Sequence, residues 1–255
     1  MHHIGFAWRK YMIETLAPAV SCAGLGSDDF AKGGMNPSII DVTINERVFG
    51  IRAADIDTQR NSASMLISKM YAWRGYSGNH QIGNDPNRIT LTASDHGQVF
   101  GTLSLGLDSE IGLMADQVFS DYVDTQRNSG KVCEIIKLAV DPAIKSKAVL
   151  ASLFHVALIY ARDLNGCTHI FIEVNPRHRR FYEAMLGFQT VCEARPNPRV
   201  QAPAVLLSAA TAYGTEQVAK WGGMQDKAVG ERSLFPWFFS QREEAGIINR
   251  LRQLG

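Results

Sequence analysis

The stretch from Val132 to Phe188 constrains this chain more than any other. It opens on an apolar run, Val132-Cys133-Glu134-Ile135-Ile136-Lys137-Leu138-Ala139-Val140, closed by Asp141-Pro142. Over residues 146–163 the apolar positions Val149, Leu150, Leu153, Phe154, Ala157 and Leu158 repeat at three and four, the period of a helix. Asn165-Gly166 supplies its C-terminal stop. A second apolar run, Ile170 to Val174, leads into Asn175-Pro176 and a short helix ending Met185-Leu186-Gly187-Phe188. Two buried strands joined by a helix form a crossover unit, and such sheets present ligands at the ends of their central strands. Glu134, in the middle of the first run, is the residue that most needs a reason, because buried carboxylates are rare unless paired or functional.

The flanking chain completes a mixed pattern. Arg47 to Arg52 alternates as a strand. A helix capped by Asp55 or Asp57 follows, with Met65, Leu66, Met70 and Trp73 near helical spacing. Arg88–Ala93 and Val99–Leu105, joined by His96-Gly97, read as a hairpin. Ala115–Arg127 is an amphipathic helix with Val118, Phe119 and Tyr122 inward. After Gly187 come strands at Phe188–Glu193 and Ala204–Ala212, separated by Pro196, Pro198 and Pro203. Ser240 and Glu243 have capping-box spacing for a terminal helix carrying Ile247, Ile248 and Leu251. This order predicts an α/β (α+β) fold, a mixed central sheet with helices on both faces. Residues 1–45, rich in Gly, Ser and Asp after residue 20, are expected to be a loosely ordered extension. The expected domain runs from 46 to 223, with a helical extension from 224 to 255 packing on it.

Composition excludes several classes. A net charge of +1 gives no bulk attraction for nucleic acid. Four dispersed cysteines suggest reduced thiols in a cytoplasmic protein rather than a disulfide frame or a zinc site. No apolar run is long enough to span a membrane, and the N-terminus has no signal-peptide core.

Asn175 through Phe188 resembles the last motif of the GNAT N-acyltransferase fold: an Asn after a strand, a Tyr seven positions on (Tyr182), then Gly187-Phe188. The resemblance implies that Tyr182 is a general acid near the leaving thiol. In coenzyme A users of that fold a glycine-bearing loop precedes the crossover helix and cradles pyrophosphate. Here the matching residues are Ala143-Ile144-Lys145-Ser146-Lys147-Ala148, without the glycine. That points to a donor lacking the nucleotide. The Glu134 strand is similar to that of acyl-homoserine lactone synthases, with a basic residue three positions on. Closer still, the chain resembles the N-acyl amino acid synthases first known from soil-derived DNA. Tyr71-Ala72-Trp73-Arg74-Gly75-Tyr76, Leu105–Ser109, the Glu134 strand, Glu173–His178 and Pro203–Leu207 carry that likeness.

The resemblance implies transfer of a long-chain fatty acyl group from acyl carrier protein to the α-amine of an amino acid. The donor is then an acyl-phosphopantetheine on the carrier, with no tightly bound cofactor and no metal; a peripheral membrane contact for product release is a further expectation. An α-ammonium loses its proton at a pKa of roughly 8, so a modest base suffices. Glu134 is that base, or else it is salt-bridged to Lys137 or Arg52. Backbone amides of Lys137, Leu138, Ala139 and Val140 are expected to hold the oxyanion and pantetheine, with Asn175 alongside. Glu173 is a second acid/base or a structural partner of Arg177 or Arg180. Arg74 and Tyr76 are candidates for the substrate carboxylate. Lys145, Lys147, Arg177, Arg179 and Arg180 are candidates for docking an acidic carrier. Cys133 alternates with Glu134 and should face away from it, which argues against a cysteine relay. The alternatives are an acyl-homoserine lactone synthase-like enzyme, a coenzyme A-dependent small-acyl transferase, or a non-catalytic acyl-chain or carrier-binding module. His155 and His178 are expected to be helix-face and helix-start residues without a role.

Overall fold

The computed structural model describes residues 38–44, 47–76, 78–144 and 146–254. In chain order these form β1 (Ile40–Ile44), β2 (Arg47–Ala53), α1 (Asp57–Trp73), β3 (Arg88–Asp95), β4 (Gln98–Leu107), α2 (Asp116–Arg127), β5 (Lys131–Val140) and α3 (Lys147–Ile159). Then follow β6 (Cys167–Val174), α4 (Arg179–Leu186), β7 (Gln189–Thr190), β8 (Arg195–Asn197), β9 (Ala202–Ala210), α5 (Thr211–Trp221) and α6 (Gln241–Leu254). The sheet order is β1-β2-β3-β4-β5-β6-β9-β7, with β8 on β9. Among the described strands only β5 and β6 pair in parallel, joined by α3 as the periodicity predicts.

Side-chain alternation divides the sheet into two faces. Cys133 and Ile135 point toward α3 and the main core, with Leu153, Val156 and Leu207. Val132 and Phe171 point toward α2, against Phe119 and Val123. Cys133 and Glu134 therefore face opposite sides. Helix α1 covers Ala139 with Ala63, Leu66, Ile67 and Met70. Leu66 and Met70 are buried as expected, whereas Met65 and Trp73 are exposed and Ala63 and Ile67 complete the stripe. Its N-cap is Ile56, with no side-chain cap, and Asp57 pairs with Arg60 instead.

Three boundaries differ from expectation. Residues 40–44 form the edge strand β1 in a hairpin with β2, so a boundary after residue 45 would cut a paired ribbon. Residues 1–37 of the expected extension lie outside the described residues. The strand expected at 188–193 contracts to Gln189–Thr190, and β9 ends at Ala210, where Thr211 begins α5. Gly187 closes α4 in the left-handed region at φ 71°, where a Cβ would enter the Tyr213 ring at 2.2 Å.

Helix α3 is buried all round, because the C-terminal segment covers the side away from the sheet. Phe235, Phe238, Phe239, Ile247 and Leu251 share its core. His155 is the clasp. Its ring stacks on Phe238 and Phe239, with centroids at 4.7 and 5.3 Å. The Phe239 N–H donates to Nδ1 at 3.0 Å, so Nε2 carries the proton and donates to Glu244 at 3.1 Å. Arg162 completes the pair with Glu244 at 2.8 Å. The Ser240–Glu243 capping box forms as expected at the start of α6. Far from being an idle helix-face residue, His155 is fully buried and ties two segments together.

Burial lowers the His155 pKa below its ordinary value, outweighing the Glu244 hydrogen bond. A depressed folded pKa means the unfolded chain binds the extra proton first. Stability is therefore full above the unfolded value, roughly 6.5, and is lost as pH falls below it. His155→Ala should cost about 2–4 kcal/mol, since it opens a cavity and strands the Phe239 amide and Glu244. Urea unfolding at pH 7.5 and 5.5 checks both: the wild-type loss on acidification should be smaller in His155→Ala.

Candidate functional site

The site forms where β5 and β6 part. Their ladder ends at Ile135 opposite Ile172, while β5 continues along β4 and β6 along β9. The cause is a bulge. Lys137 adopts φ 52°, a left-handed conformation that costs a non-glycine residue roughly 1–2 kcal/mol. The β4–β5 register slips there, and the Thr102 hydroxyl donates to the Lys137 carbonyl at 3.1 Å. Beyond it, the β6-facing backbone of β5 has no strand partner, and such groups seek one.

A cleft of about 520 Å³ opens at this parting. Its floor carries Glu134 and Ile135 to Leu138, one wall Ile172 to Asn175 with Tyr182, and the other Tyr71, Arg74, Tyr76 and His80. Of the expected site residues, Glu134, Lys137, Leu138, Glu173, Asn175, Arg74, Tyr76 and Tyr182 thus meet in one space. Ala139 and Val140 do not line it: past the bulge, Ala139 turns beneath α1 and is 1% exposed. Lys137 Nζ donates to the carbonyls of His80 and Gln81, so this lysine holds the 78–81 loop to the floor.

Glu134 is 3% exposed and points at the entry to α2. The Met114 N–H donates to one carboxylate oxygen at 2.8 Å and the Ala115 N–H to the other at 3.0 Å. Arg127 fixes that loop by gripping Asp108 and Asp116. Burial raises the Glu134 pKa, against the two amides and the charges of Arg199 and Arg88. Neither anticipated salt-bridge partner reaches it. Lys137 is engaged with carbonyls, Arg52 donates to Ser94, and among the described residues Glu134 makes no ion pair.

Glu173 does have a partner, but not Arg177 or Arg180. Arg199 holds it at 2.6 Å, and Asn197 donates to its other oxygen. The same guanidinium donates to the Met114 carbonyl. Arg199 thereby links Glu173 to the peptide segment that holds Glu134. Nothing local marks Arg199 in the sequence, beyond its setting in a proline-rich loop that pairs back through β8. His178 also lines the cleft. Burial, then the charges of Arg177 and Arg74, push its pKa down to about 4, so it is neutral at pH 7.

The basic residues separate. Arg177, Arg179 and Arg180 are exposed at the start of α4, with Arg179 3.6 Å from Glu183. Lys147 instead lies 4.3 Å over the Trp237 ring and is tied to the C-terminal segment. Lys145 lies outside the described residues. In the loop before α3, Asp141 accepts from the amides of Ala143 and Ile144, leaving neither available to cradle a phosphate. Among the described residues no group of three or more His, Cys, Asp or Glu side chains could hold a metal ion, and no helix is long and apolar enough to cross a membrane.

This sheet, parted after its central parallel pair over a buried carboxylate, has the GNAT-like fold of an N-acyltransferase. The sequence profile described as "N-acyl amino acid synthase FeeM" matches residues 62–210, more than half of the chain. The protein belongs to that family. A search of curated protein sequences finds no match. Among solved structures, FeeM, an N-acyl amino acid synthase from uncultured soil microbes, aligns at 24% identity with a TM-score of 0.58. The alignment covers 64% of this chain and 90% of that one, and at that identity the likeness speaks to the fold. Arabidopsis thaliana NAA60 in complex with a bisubstrate analogue aligns at 13% identity and a TM-score of 0.48, over 64% of this chain and 98% of that one.

Arg199→Met should leave the Glu173 carboxylate buried without its cation and cost about 2–4 kcal/mol. Adding Glu173→Gln should recover at least half of that loss in urea unfolding, which a mere packing defect at residue 199 would not allow.

Proposed function

We propose that this N-acyltransferase moves a long-chain acyl group from the phosphopantetheine arm of an acyl carrier protein to the α-amine of an amino acid. The observation that carries the reading is Glu134: a buried carboxylate without a counter-ion among the described residues, at the floor of a cleft opened by parted strands. Glu134 takes a proton from the substrate ammonium, directly or through water. The freed amine forms the C–N bond at the thioester carbonyl. The Lys137 and Leu138 amides, beyond the end of the β5–β6 ladder, receive the oxyanion, and Asn175 flanks the pantetheine. The C–S bond then breaks as Tyr182 supplies a proton to the departing sulfur, and the second proton shed by the new amide nitrogen restores the Tyr182 phenol. The products are an amide and a thiol, and Glu134 releases its proton to solvent.

Two further observations support a carrier-borne donor. In the loop before α3 the Ala143 and Ile144 amides are spent on Asp141, so these two are not offered to a nucleotide pyrophosphate. Arg177, Arg179 and Arg180 stand exposed beside the Asn175 end of the cleft, a surface suited to an acidic partner. Ile136, Leu138, Val174, Val200 and Pro203 give the cleft an apolar wall for an acyl chain. We assign the reaction to the cytoplasm, where acyl carriers and free amino acids meet.

Glu134→Gln should lower kcat with acyl carrier protein and amino acid by about 10²–10⁴-fold. The amide cannot accept both N–H groups, so melting must be checked in parallel. Wild-type kcat/KM should rise with pH through an acid limb lying above the ordinary carboxylate range near 4.3. Arg199→Met should move that limb higher still, because the Arg199 charge opposes the rise. Full activity in folded Glu134→Gln would remove the base assignment; no amide product from the wild type would remove the function.

A further inference from the structure

Three residues of neighbouring strands lie in one row across the sheet. Arg88 of β3 pairs with Gly106 of β4, and Gly106 pairs with Glu134 of β5. Directly paired residues share a face, so Arg88 and Glu134 project to the same side, two strands or roughly 10 Å apart at the backbone. Both line the cleft. Between them Gly106 contributes no side chain. A Cβ there would come within 3.1 Å of Glu134 Cγ and 3.2 Å of its carboxylate oxygen. The backbone at Gly106 is not in the left-handed region, so turn geometry does not demand the glycine. What the glycine makes room for is the Glu134 side chain, whose Cγ and carboxylate lie over it.

The guanidinium is also short of partners. Arg88 Nε is buried and makes no hydrogen bond. Asp85 lies 3.9 Å from it, beyond hydrogen-bond reach, and the other Asp85 oxygen already accepts from the Asn87 amide. Asp85 is thus only a long ion-pair partner for Arg88, whose Nε lacks a hydrogen bond among the described residues. The other cations of the cleft are committed or set apart. Arg199 is engaged by Glu173, Gln117 and the Met114 carbonyl; Lys137 is engaged by two carbonyls. Arg74 is close enough to His178 to depress its pKa, and so belongs to the wall near Arg177 rather than to the Glu134 row.

We propose that Arg88 and Glu134, set on one face by their pairing through Gly106, form a zwitterion site in which the acceptor amino acid lies in the cleft with its α-carboxylate on Arg88 and its α-ammonium on Glu134. This rests on the acyl-transfer reading and deepens it. The carboxylate goes to Arg88 rather than to Arg74, and the site selects amino acids over simple amines. Anchoring at Arg88 sets the nitrogen beside its base. A planar fork suits a carboxylate better than a point charge does.

The test measures binding by calorimetry, so it does not depend on turnover. The twenty amino acids are screened against the wild type. The tightest binder is then compared with the amine that lacks its carboxylate, on wild type, Arg88→Met, Arg88→Lys and Gly106→Ala. Arg88→Met should weaken the amino acid about 10–100-fold and leave the amine unchanged, with Arg88→Lys intermediate. Gly106→Ala should weaken both. Thermal melting shows whether each variant is folded. Equal losses for amino acid and amine in Arg88→Met, no loss, or no binder among the twenty would overturn the site. Acyl transfer is assayed separately on the same preparations. Transfer without the Arg88 discrimination leaves the function standing and the site refuted; discrimination without transfer does the reverse.

Discussion

Everything distinctive here follows from one break in a hydrogen-bond ladder. Strands β5 and β6 are a parallel pair at the centre of the sheet, where continuous pairing is the cheapest way to satisfy backbone groups. They stop pairing after Ile135 and Ile172 because the bulge at Lys137 turns β5 toward β4. The backbone released by that turn must meet something, and a cleft with an apolar wall and a polar floor is what the rest of the chain builds around it. Glu134 sits just before the break, still held by its strand and already facing the opening.

The two faces of the sheet divide the work. On the α3 side the core is apolar, and the C-terminal segment is held to it through His155, behind the parted strands. On the α2 side the charges form a relay of contacts rather than isolated pairs. Glu173 holds Arg199, Arg199 holds the Met114 carbonyl, and the amides of Met114 and Ala115 hold Glu134. The Glu134 carboxylate is thereby oriented by peptide dipoles, with no counter-ion among the described residues. It keeps a raised pKa while remaining fixed in place, the combination a base for an ammonium requires.

The sequence discloses what depends on local periodicity. The β5–α3–β6 crossover, the β3–β4 hairpin, the capping box at Ser240 and the opposition of Cys133 and Glu134 are all legible, because each is a matter of spacing within a few residues. The contacts that complete the site are not. Arg199 meets Glu173 across 26 positions of sequence, and Arg88 comes to share a face with Glu134 only through the register of three strands. Gly106 looks like any strand glycine until its neighbours are known. β1 is hidden because it is a short edge strand after a glycine-rich stretch. Met65 and Trp73 mislead because the helical period fits a second stripe that faces solvent.

In the proposed reaction a thioester without a nucleotide meets an amine at the parted strands. Supplying purified protein with equal amounts of acyl carrier protein and coenzyme A, loaded with isotopically distinct long acyl chains, and a mixture of the twenty amino acids tests it most directly. Mass spectrometry of the lipid products should find an N-acyl amino acid whose chain carries the carrier-protein label. Products labelled chiefly from coenzyme A, or no amide at all, would contradict it.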